Sequence, residues 1–580
     1  MPQGRRKTPF SGKAKKEQLK SKREKHGGKN VPFLDRKGDD SDDDSGPSIQ
    51  KLNYQPTKSG RSKPNRYALQ FFRETNEEVK EKKEQARHSL VKVDEKELEI
   101  DGDLFFENKL DFPKRPPWNF DLSKEQLDAQ ENRYFTEYLK TIEAGFDMKE
   151  LSYFELNLET WRQLWRVLEM SDIVLFIVDI RFPVVMFPPS LYRYVTDDLK
   201  KDFILVLNKI DLAPAPLVAA WKHYFEQKYS LLKICLFTSL PGYNLMGQRL
   251  DKGGLQVRRR KGRVRMAAEG NQQLYEVCNS LVGDKVDLTS WQSKIKEEIR
   301  EEYQEEEKIE VGETLHVQNN TDYFQYERFK SGILTIGCIG QPNVGKSSLM
   351  NAIMGKKVVS VSKTPGHTKH FQTIFLTNNV RLCDCPGLVF PSKVPKPLQV
   401  LMGSFPIAQL REPYSTIKYL GERLDLIKML RIEHPYNDET WSAMDICDGW
   451  AKKRGYLTAK AARLDSYRAA NSLLRMALDG KICLCLRPPH YTRRREFWQT
   501  HPDVEKVKWI QALSKEIEDT IESLDKAVGG AVSDVSTDND EPVSHRTVTE
   551  EDSDEELSSD LYEDAPVNSS NKYATLETED

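Results

Sequence analysis

The run Gly340-Gln341-Pro342-Asn343-Val344-Gly345-Lys346-Ser347 constrains this 580-residue chain more than any other stretch. Its spacing, G-x-x-x-x-G-K-[ST], works only where a strand feeds a tight loop that opens directly into a helix. There, successive backbone N–H groups and the helix N-terminus cradle phosphate oxygens, Lys346 neutralises the β- and γ-phosphates, and Ser347 ligates magnesium. The flanks meet that requirement: Ile333 to Ile339 is an apolar run that reads as a buried strand, and Ser348 to Met354 reads as the helix that follows. The expected class is therefore α/β, with a parallel, doubly wound sheet.

A second motif says which nucleotide belongs on that loop. Asn208-Lys209-Ile210-Asp211 ends the apolar run Phe203 to Leu207, so its polar groups should project from the carboxyl edge of a strand, where doubly wound folds bind ligands. Asp211 can accept hydrogen bonds from the N1 and N2 hydrogens of guanine, while Asn208 and the stem of Lys209 support the ring. Adenine would leave that carboxylate unpaired, a mismatch that costs on the order of 10⁴-fold in selectivity. Thr238-Ser239 completes the base-reading set. The remaining pieces sense the third phosphate. Asp384-Cys385-Pro386-Gly387 closes the strand Val380 to Cys383, placing Asp384 near the metal and turning the Gly387 N–H onto the γ-phosphate. In Pro365-Gly366-His367-Thr368, Thr368 is the candidate second hydroxyl ligand of magnesium, and Thr364 competes for that role. Where many GTPases carry a water-orienting Gln, this chain has Leu388, which cannot hydrogen-bond to water. Counting Ser348 at the helix start, these segments form the expected GTP/GDP and Mg²⁺ site.

Their order is unusual, because the base-reading motif precedes the phosphate loop. With Trp161 to Glu169 and Val178 to Pro183, the motifs resemble the circularly permuted GTPases of the large-subunit assembly class. Those relatives usually have Asp-Ala-Arg where Asp179-Ile180-Arg181 stands, a departure that keeps both charges. The resemblance spans roughly residues 110 to 490. It implies a P-loop GTPase sheet in permuted order, a pre-ribosomal particle or ribosomal RNA as partner, and a C-terminal domain that contacts RNA. It also implies that Asn343 holds a potassium ion which assists hydrolysis, with Lys346, Thr368 and Gly387 as the other catalytic groups.

The formal net charge of −2 hides a dipolar chain. Residues 1–37 carry 13 Lys and Arg against 3 acidic residues, and residues 533–580 carry 16 acidic against 2 basic, so both ends read as disordered. Basic clusters such as Arg5-Arg6-Lys7 suit RNA phosphates or a nuclear import receptor and favour nuclear or nucleolar residence; a merely solvated tail is the alternative. Ser41 and Ser553 precede acidic runs that suit an acidophilic kinase. The apolar runs are too short for a membrane helix and the charged N-terminus lacks a signal-peptide core, so an intracellular protein is expected. Eight cysteines, with Cys383/Cys385 and Cys483/Cys485 alternating along expected strands, read as buried thiols rather than metal ligands or disulfides.

These readings divide the chain into a disordered tail (1–103), a permuted GTPase domain (104–400), a mainly helical C-terminal domain (401–525) and an acidic disordered tail (526–580). Residues 104–120 should form an extended arm. A partly flexible insertion (241–331) should carry short helices near Asn271 to Val282 and Ser290 to Arg300. In the C-terminal domain, helices are expected at Lys418 to Leu430, Trp441 to Lys453 and Lys460 to Leu478. Two functions compete: a GTP-hydrolysing switch, and a scaffold that holds GTP but hardly turns it over. A P-loop kinase is a distant third, since it has no use for Asn208 to Asp211.

Overall fold

The strand and helix signals assemble into one mixed sheet. The computed structural model describes residues 49–51, 70–72, 74–106, 110–119, 121–147, 150–238, 263–301, 327–355, 358–359, 372–458 and 462–511. A short antiparallel pair, Ile49–Lys51 (β1) and Gln70–Phe72 (β2), comes first. The main sheet holds Ile173–Asp179 (β3), Asp202–Asn208 (β4), Lys233–Leu236 (β5), Leu334–Gly340 (β6), Gln372–Thr377 (β7) and Val380–Asp384 (β8). Its spatial order is β5-β4-β3-β6-β8-β7, parallel except for the antiparallel β7/β8 hairpin. Every residue of β3 and β6 is buried. Because successive strand residues face opposite ways, both faces of the sheet must be covered.

Chain order and spatial order disagree at two points, where β6 lies beside β3 and where β8 lies between β6 and β7. The strand carrying the phosphate loop, β6, lies between β3 and β8, although three strands of the sheet precede it in sequence. The connection from edge strand β5 to central β6 is the insertion, which contains helices Arg263–Val282 and Thr289–Glu301. Leu274, Cys278 and Trp291 of these helices are buried in the same core as the sheet. Residues 241–262 and 302–326 of the insertion lie outside the described residues.

The apolar stripe through Trp161, Leu164, Trp165 and Leu168 is core, on helix Leu158–Met170, and the extended arm lies across it. Trp165 Nε1 donates to Pro113 O at 2.8 Å and Trp118 Nε1 to Glu169 Oε1 at 3.0 Å. Arg115 bridges Glu131 at 3.0 Å and Glu169 at 2.6 Å.

Four expectations are corrected. Residues 74–103, taken as part of a disordered tail, are ordered: helix Asn76–Gln85 begins with a Thr75/Glu78 capping box. Glu74 pairs with Lys82 and Lys396, both at 2.5 Å. The N–H groups of Leu90, Val93 and Ile100 donate to the carbonyls of Trp441, Glu422 and Arg487. Because that helix buries none of its own side chains, periodicity had nothing to register. The helix expected over Lys418 to Leu430 is two, Tyr414–Arg423 and Leu426–Leu430, since the Asp425 side chain accepts from Lys428 N and starts a new turn. The last long helix starts at Ser466, capped by Asp465, and not at Lys460. Cys483 and Cys485 sit on irregular chain, half-buried, while Cys383 and Cys385 are buried.

The C-terminal region is docked tightly onto the sheet. Arg181 Nη1 donates to Ala477 O at 2.7 Å, Leu486 N to Arg181 O at 2.9 Å, and Trp221 Nε1 to Leu486 O at 3.1 Å. The expected tail 526–580 and residues 1–48 lie outside the described residues.

Candidate nucleotide site

The site sits at the carboxyl ends of β3, β4, β6 and β8, and is built from two loops fastened to one another. At its phosphate end, Gly345 takes φ +96°, a left-handed conformation that glycine adopts without strain, and helix Lys346–Met354 begins there. Lys346 is buried and folds over its own loop, Nζ donating to Gly340 O at 3.1 Å and to Gln341 O at 2.8 Å. Ser347 Oγ donates to Asp384 Oδ2 at 3.3 Å, and Asp384 Oδ1 is buried without a partner. Burial pushes the Asp384 carboxyl up to about 6 against the pull of Lys346. One hydroxyl and a carboxylate with an orphaned oxygen are hard donors of the kind Mg²⁺ takes, so the residues fit that ion.

Gly387 lies directly on the loop. A Cβ there would stand 2.8 Å from Pro342 Cα and 3.1 Å from Lys346 Nζ, so only glycine lets the sensing segment approach this closely. Leu388 N donates to Gly340 O at 3.2 Å while its side chain is fully buried. Leu388 is thus a core residue and not a lining residue of the site. The side chains of Ile210, Val344 and Cys385 are likewise in the core, leaving only their backbone for the ligand. Ser348 is half-buried on the following helix, and Pro386 is buried.

At the base end, Thr238 Oγ1 donates to Asp211 Oδ1 at 2.5 Å, so a hydroxyl aims the carboxylate that would read guanine. Burial lifts that carboxyl to about 6. Asn208 Nδ2 donates to Val344 O at 2.7 Å, tying the base loop to the phosphate loop, and Asn208 Oδ1 is left buried and unpartnered. Lys209, in the left-handed region, makes a second tie: its Nζ donates to Asn343 O at 2.6 Å and to Asp179 Oδ2 at 2.9 Å.

The sequence pattern gave Asp179 no role beyond a family signature. It is fully buried at the end of β3 and is gripped by the Arg181 guanidinium at 3.0 Å and 2.8 Å as well as by Lys209. Burial opposes its charge, but the two cations hold its carboxyl well below the usual range. Two contacts from the C-terminal region had no signal at all. Asn343 Nδ2 donates to Gly403 O at 2.9 Å, and Ser404 Oγ donates to the buried Gln341 Oε1 at 2.6 Å. Gln341 therefore faces the helical region, and Asn343 keeps only its side-chain oxygen for a cation. Ser239, Thr364 and Pro365 to Thr368 lie outside the described residues.

Among the described residues one other group has metal-ligand chemistry, His223, His501 and Asp503. Its atoms are already engaged: Asp503 Oδ2 lies 3.0 Å from His223 Nε2 and 3.2 Å from Lys222 Nζ, and His501 Nδ1 accepts from Asp503 N. The cluster docks helix Asp503–Ile510 onto helix Ala215–Lys228.

Comparison with known proteins agrees with this geometry. The family described as "50S ribosome-binding GTPase" matches residues 335–418. Guanine nucleotide-binding protein-like 1 of Mus musculus is 49% identical over 535 residues, covering 86% of this chain and 88% of that protein. The Homo sapiens protein of that name is 47% identical over 542 residues, covering 87% and 89%. Large subunit GTPase 1 of Saccharomyces cerevisiae is 34% identical over 397 residues, 65% of this chain and 58% of its own. GNP-bound YlqF from T. maritima aligns over 57% of this chain and 97% of its own at 17% identity, with a TM-score of 0.32, too slight a likeness to add to the fold read from the sheet. A phosphate loop bonded to a guanine-type base loop, in a sheet whose strands run out of chain order, makes this a circularly permuted GTPase, and the chain belongs to the guanine nucleotide-binding protein-like 1 family.

Proposed function

We propose that this GTPase acts as a switch in assembly of the large ribosomal subunit, docking on a pre-ribosomal particle in one nucleotide state and leaving in the other. The observation that carries the reading is the direct seating of the C-terminal region on the phosphate loop, through Gly403 and Ser404. The sensing segment Asp384 to Leu388 runs into that same region through helix Lys396–Met402, so a shift on loss of the γ-phosphate has a short covalent path to it. The likeness to the yeast protein named Large subunit GTPase 1 supports the choice of particle.

In this reading Ser347, Asp384 and Thr368 hold Mg²⁺, which offsets phosphate charge, while Lys346 leaves the Gly340 and Gln341 carbonyls for the phosphates. Asn343 offers its side-chain oxygen to a potassium ion, replacing the charge stabilisation that Leu388 cannot assist. Hydrolysis by the isolated protein is slow. The basic N-terminal clusters address the protein to the nucleus or nucleolus through an import receptor, and Ser41 and Ser553 are phosphorylated by an acidophilic kinase.

A second reading, a GTP-holding scaffold with negligible turnover, is favoured by one observation: Leu388 is packed into the core. Single-turnover hydrolysis with and without large ribosomal subunits separates the two. Acceleration by the subunits, with nucleotide-dependent cosedimentation, is the expected result; a rate indifferent to them leaves the scaffold.

A further inference from the structure

The base-reading loop is gripped on its outer side by the C-terminal region, nearly 300 residues away. Asp211 sits on a single turn, Ile210–Leu212, whose only internal bonds run from Leu212 N to Lys209 O and from Ala213 N to Ile210 O. One turn of this kind is soft, because few bonds hold the dihedrals that aim the carboxylate. The buried Gln511 closes it: Nε2 donates to Ile210 O at 2.6 Å and to Ala213 O at 2.9 Å, the two carbonyls that bracket Asp211 and Leu212.

A packed helix carries this amide. Gln511 N donates to Val507 O at 2.9 Å, at the end of helix Asp503–Ile510, whose Val504, Val507 and Ile510 are buried. Leu212 of the same turn packs so closely on Gly480 that a Cβ there would lie 2.6 Å from it. One detail marks the donated bonds as the purpose of the side chain. Gln511 Oε1 is buried with no partner, a penalty that a hydrocarbon of equal length would avoid.

We infer that Gln511 is a positioning residue for guanine recognition: it locks the turn that aims Asp211 at the base, so the C-terminal region forms part of the specificity site. The inference rests on the reading of Asp211 as the guanine acceptor. Inosine triphosphate isolates it, since that base keeps the N1 hydrogen and lacks the 2-amino group, so the ratio of GTP to inosine triphosphate affinity reads the second half of the Asp211 contact.

The test measures GTP and inosine triphosphate affinities of the full-length protein and of Gln511→Met, Gln511→Ala and Asn271→Leu, with the thermal midpoint of each nucleotide-free protein alongside. Asn271 is a buried amide in the insertion, also with one orphaned atom, and controls for general loosening. Wild type should prefer GTP by at least about tenfold, the worth of a hydrogen bond to a charged group. Gln511→Met should narrow that preference by about five- to tenfold, the worth of the lost neutral bonds. Asn271→Leu should leave it at the wild-type value. If Gln511→Met does not fold, Gln511→Ala decides in the same way, because water can reach the two carbonyls in the space it opens. A folded variant with the wild-type preference, or equal narrowing in Asn271→Leu, overturns the inference alone. A wild type that holds inosine triphosphate and ATP as tightly as GTP overturns the guanine reading as well.

Discussion

The two ends of the nucleotide site are built differently, although each is organised around a buried or half-buried aspartate at the carboxyl end of a strand. At the base end every side chain is tied to a neighbour, Asp211 to Thr238, Asn208 Nδ2 to Val344, and Lys209 to Asp179 and Asn343, and only Asn208 Oδ1 is left buried without a partner. At the phosphate end the pairings are provisional. Lys346 spends its ammonium on two loop carbonyls, and Asp384 keeps an orphaned oxygen beside Ser347. The base end is preorganised and so suits discrimination, for which a fixed geometry penalises the wrong ring. The phosphate end is a set of contacts waiting to be exchanged, which suits a sensor whose two states must differ in what they bind.

The largest effect should come from the preorganised end. Asp211→Asn should shift preference from GTP towards xanthosine triphosphate, whose exocyclic 2-oxo oxygen can accept from the new amide, by about 10³-fold or more. Competition binding with the two nucleotides measures it, and a variant that still prefers GTP would mean that the pocket, not the carboxylate, reads the base. At the phosphate end, Lys346→Ala should weaken GTP binding by about 10²-fold, the worth of charge-assisted bonds to phosphate, with little change in thermal midpoint. Unaltered affinity in a titration of this variant would contradict the exchange of carbonyls for phosphates.

Proton linkage sharpens the contrast. Burial lifts both Asp211 and Asp384 to about 6. Their unfolded value is about 4, so in the nucleotide-free protein the stability these two groups contribute is present below about pH 4 and is lost as the pH rises through about 6. Ligand binding carries the opposite sign, because guanine and Mg²⁺ both require the carboxylate. Affinity for GTP with Mg²⁺ should therefore rise with pH by up to about tenfold per unit for each carboxyl, about a hundredfold for the two together, below 6 and level off above it. Repeating the titration with Mg²⁺ chelated should remove the Asp384 share and leave that of Asp211; a flat profile in both would break the linkage.

The smallest effect concerns the cation. Hydrolysis should run several-fold faster in potassium than in sodium, on the order of 1 kcal/mol of electrostatic stabilisation, and Asn343→Ala should abolish the difference. Equal rates in the two salts would move the missing charge to a partner-supplied group. Leu388→Ala is informative in another way: because Leu388 is buried, this change should cost about 2–5 kcal/mol of stability rather than a specific step in hydrolysis.

The sequence by itself determined the pieces of the site and the kind of sheet that carries them. Gly340 to Ser347, Asn208 to Asp211 and Asp384 to Gly387 are contiguous motifs, and the apolar runs before them are strands because local periodicity and local turn chemistry are encoded within a few residues. Even the permutation was legible, since it is a matter of which motif comes first. Only the tertiary structure decided what holds those pieces. Gln511 on Ile210, Gly403 and Ser404 on the phosphate loop, Ala477 on Arg181, and Leu90 to Ile100 along the C-terminal helices all join segments far apart in the chain. Most of these contacts involve a backbone carbonyl or N–H, groups every residue has, so no side-chain pattern announces them. Leu388 shows the same limit: the sequence says it cannot orient water, and only the fold says that it faces the core, because the packing of the irregular segment after β8 chooses which side of the chain meets the ligand.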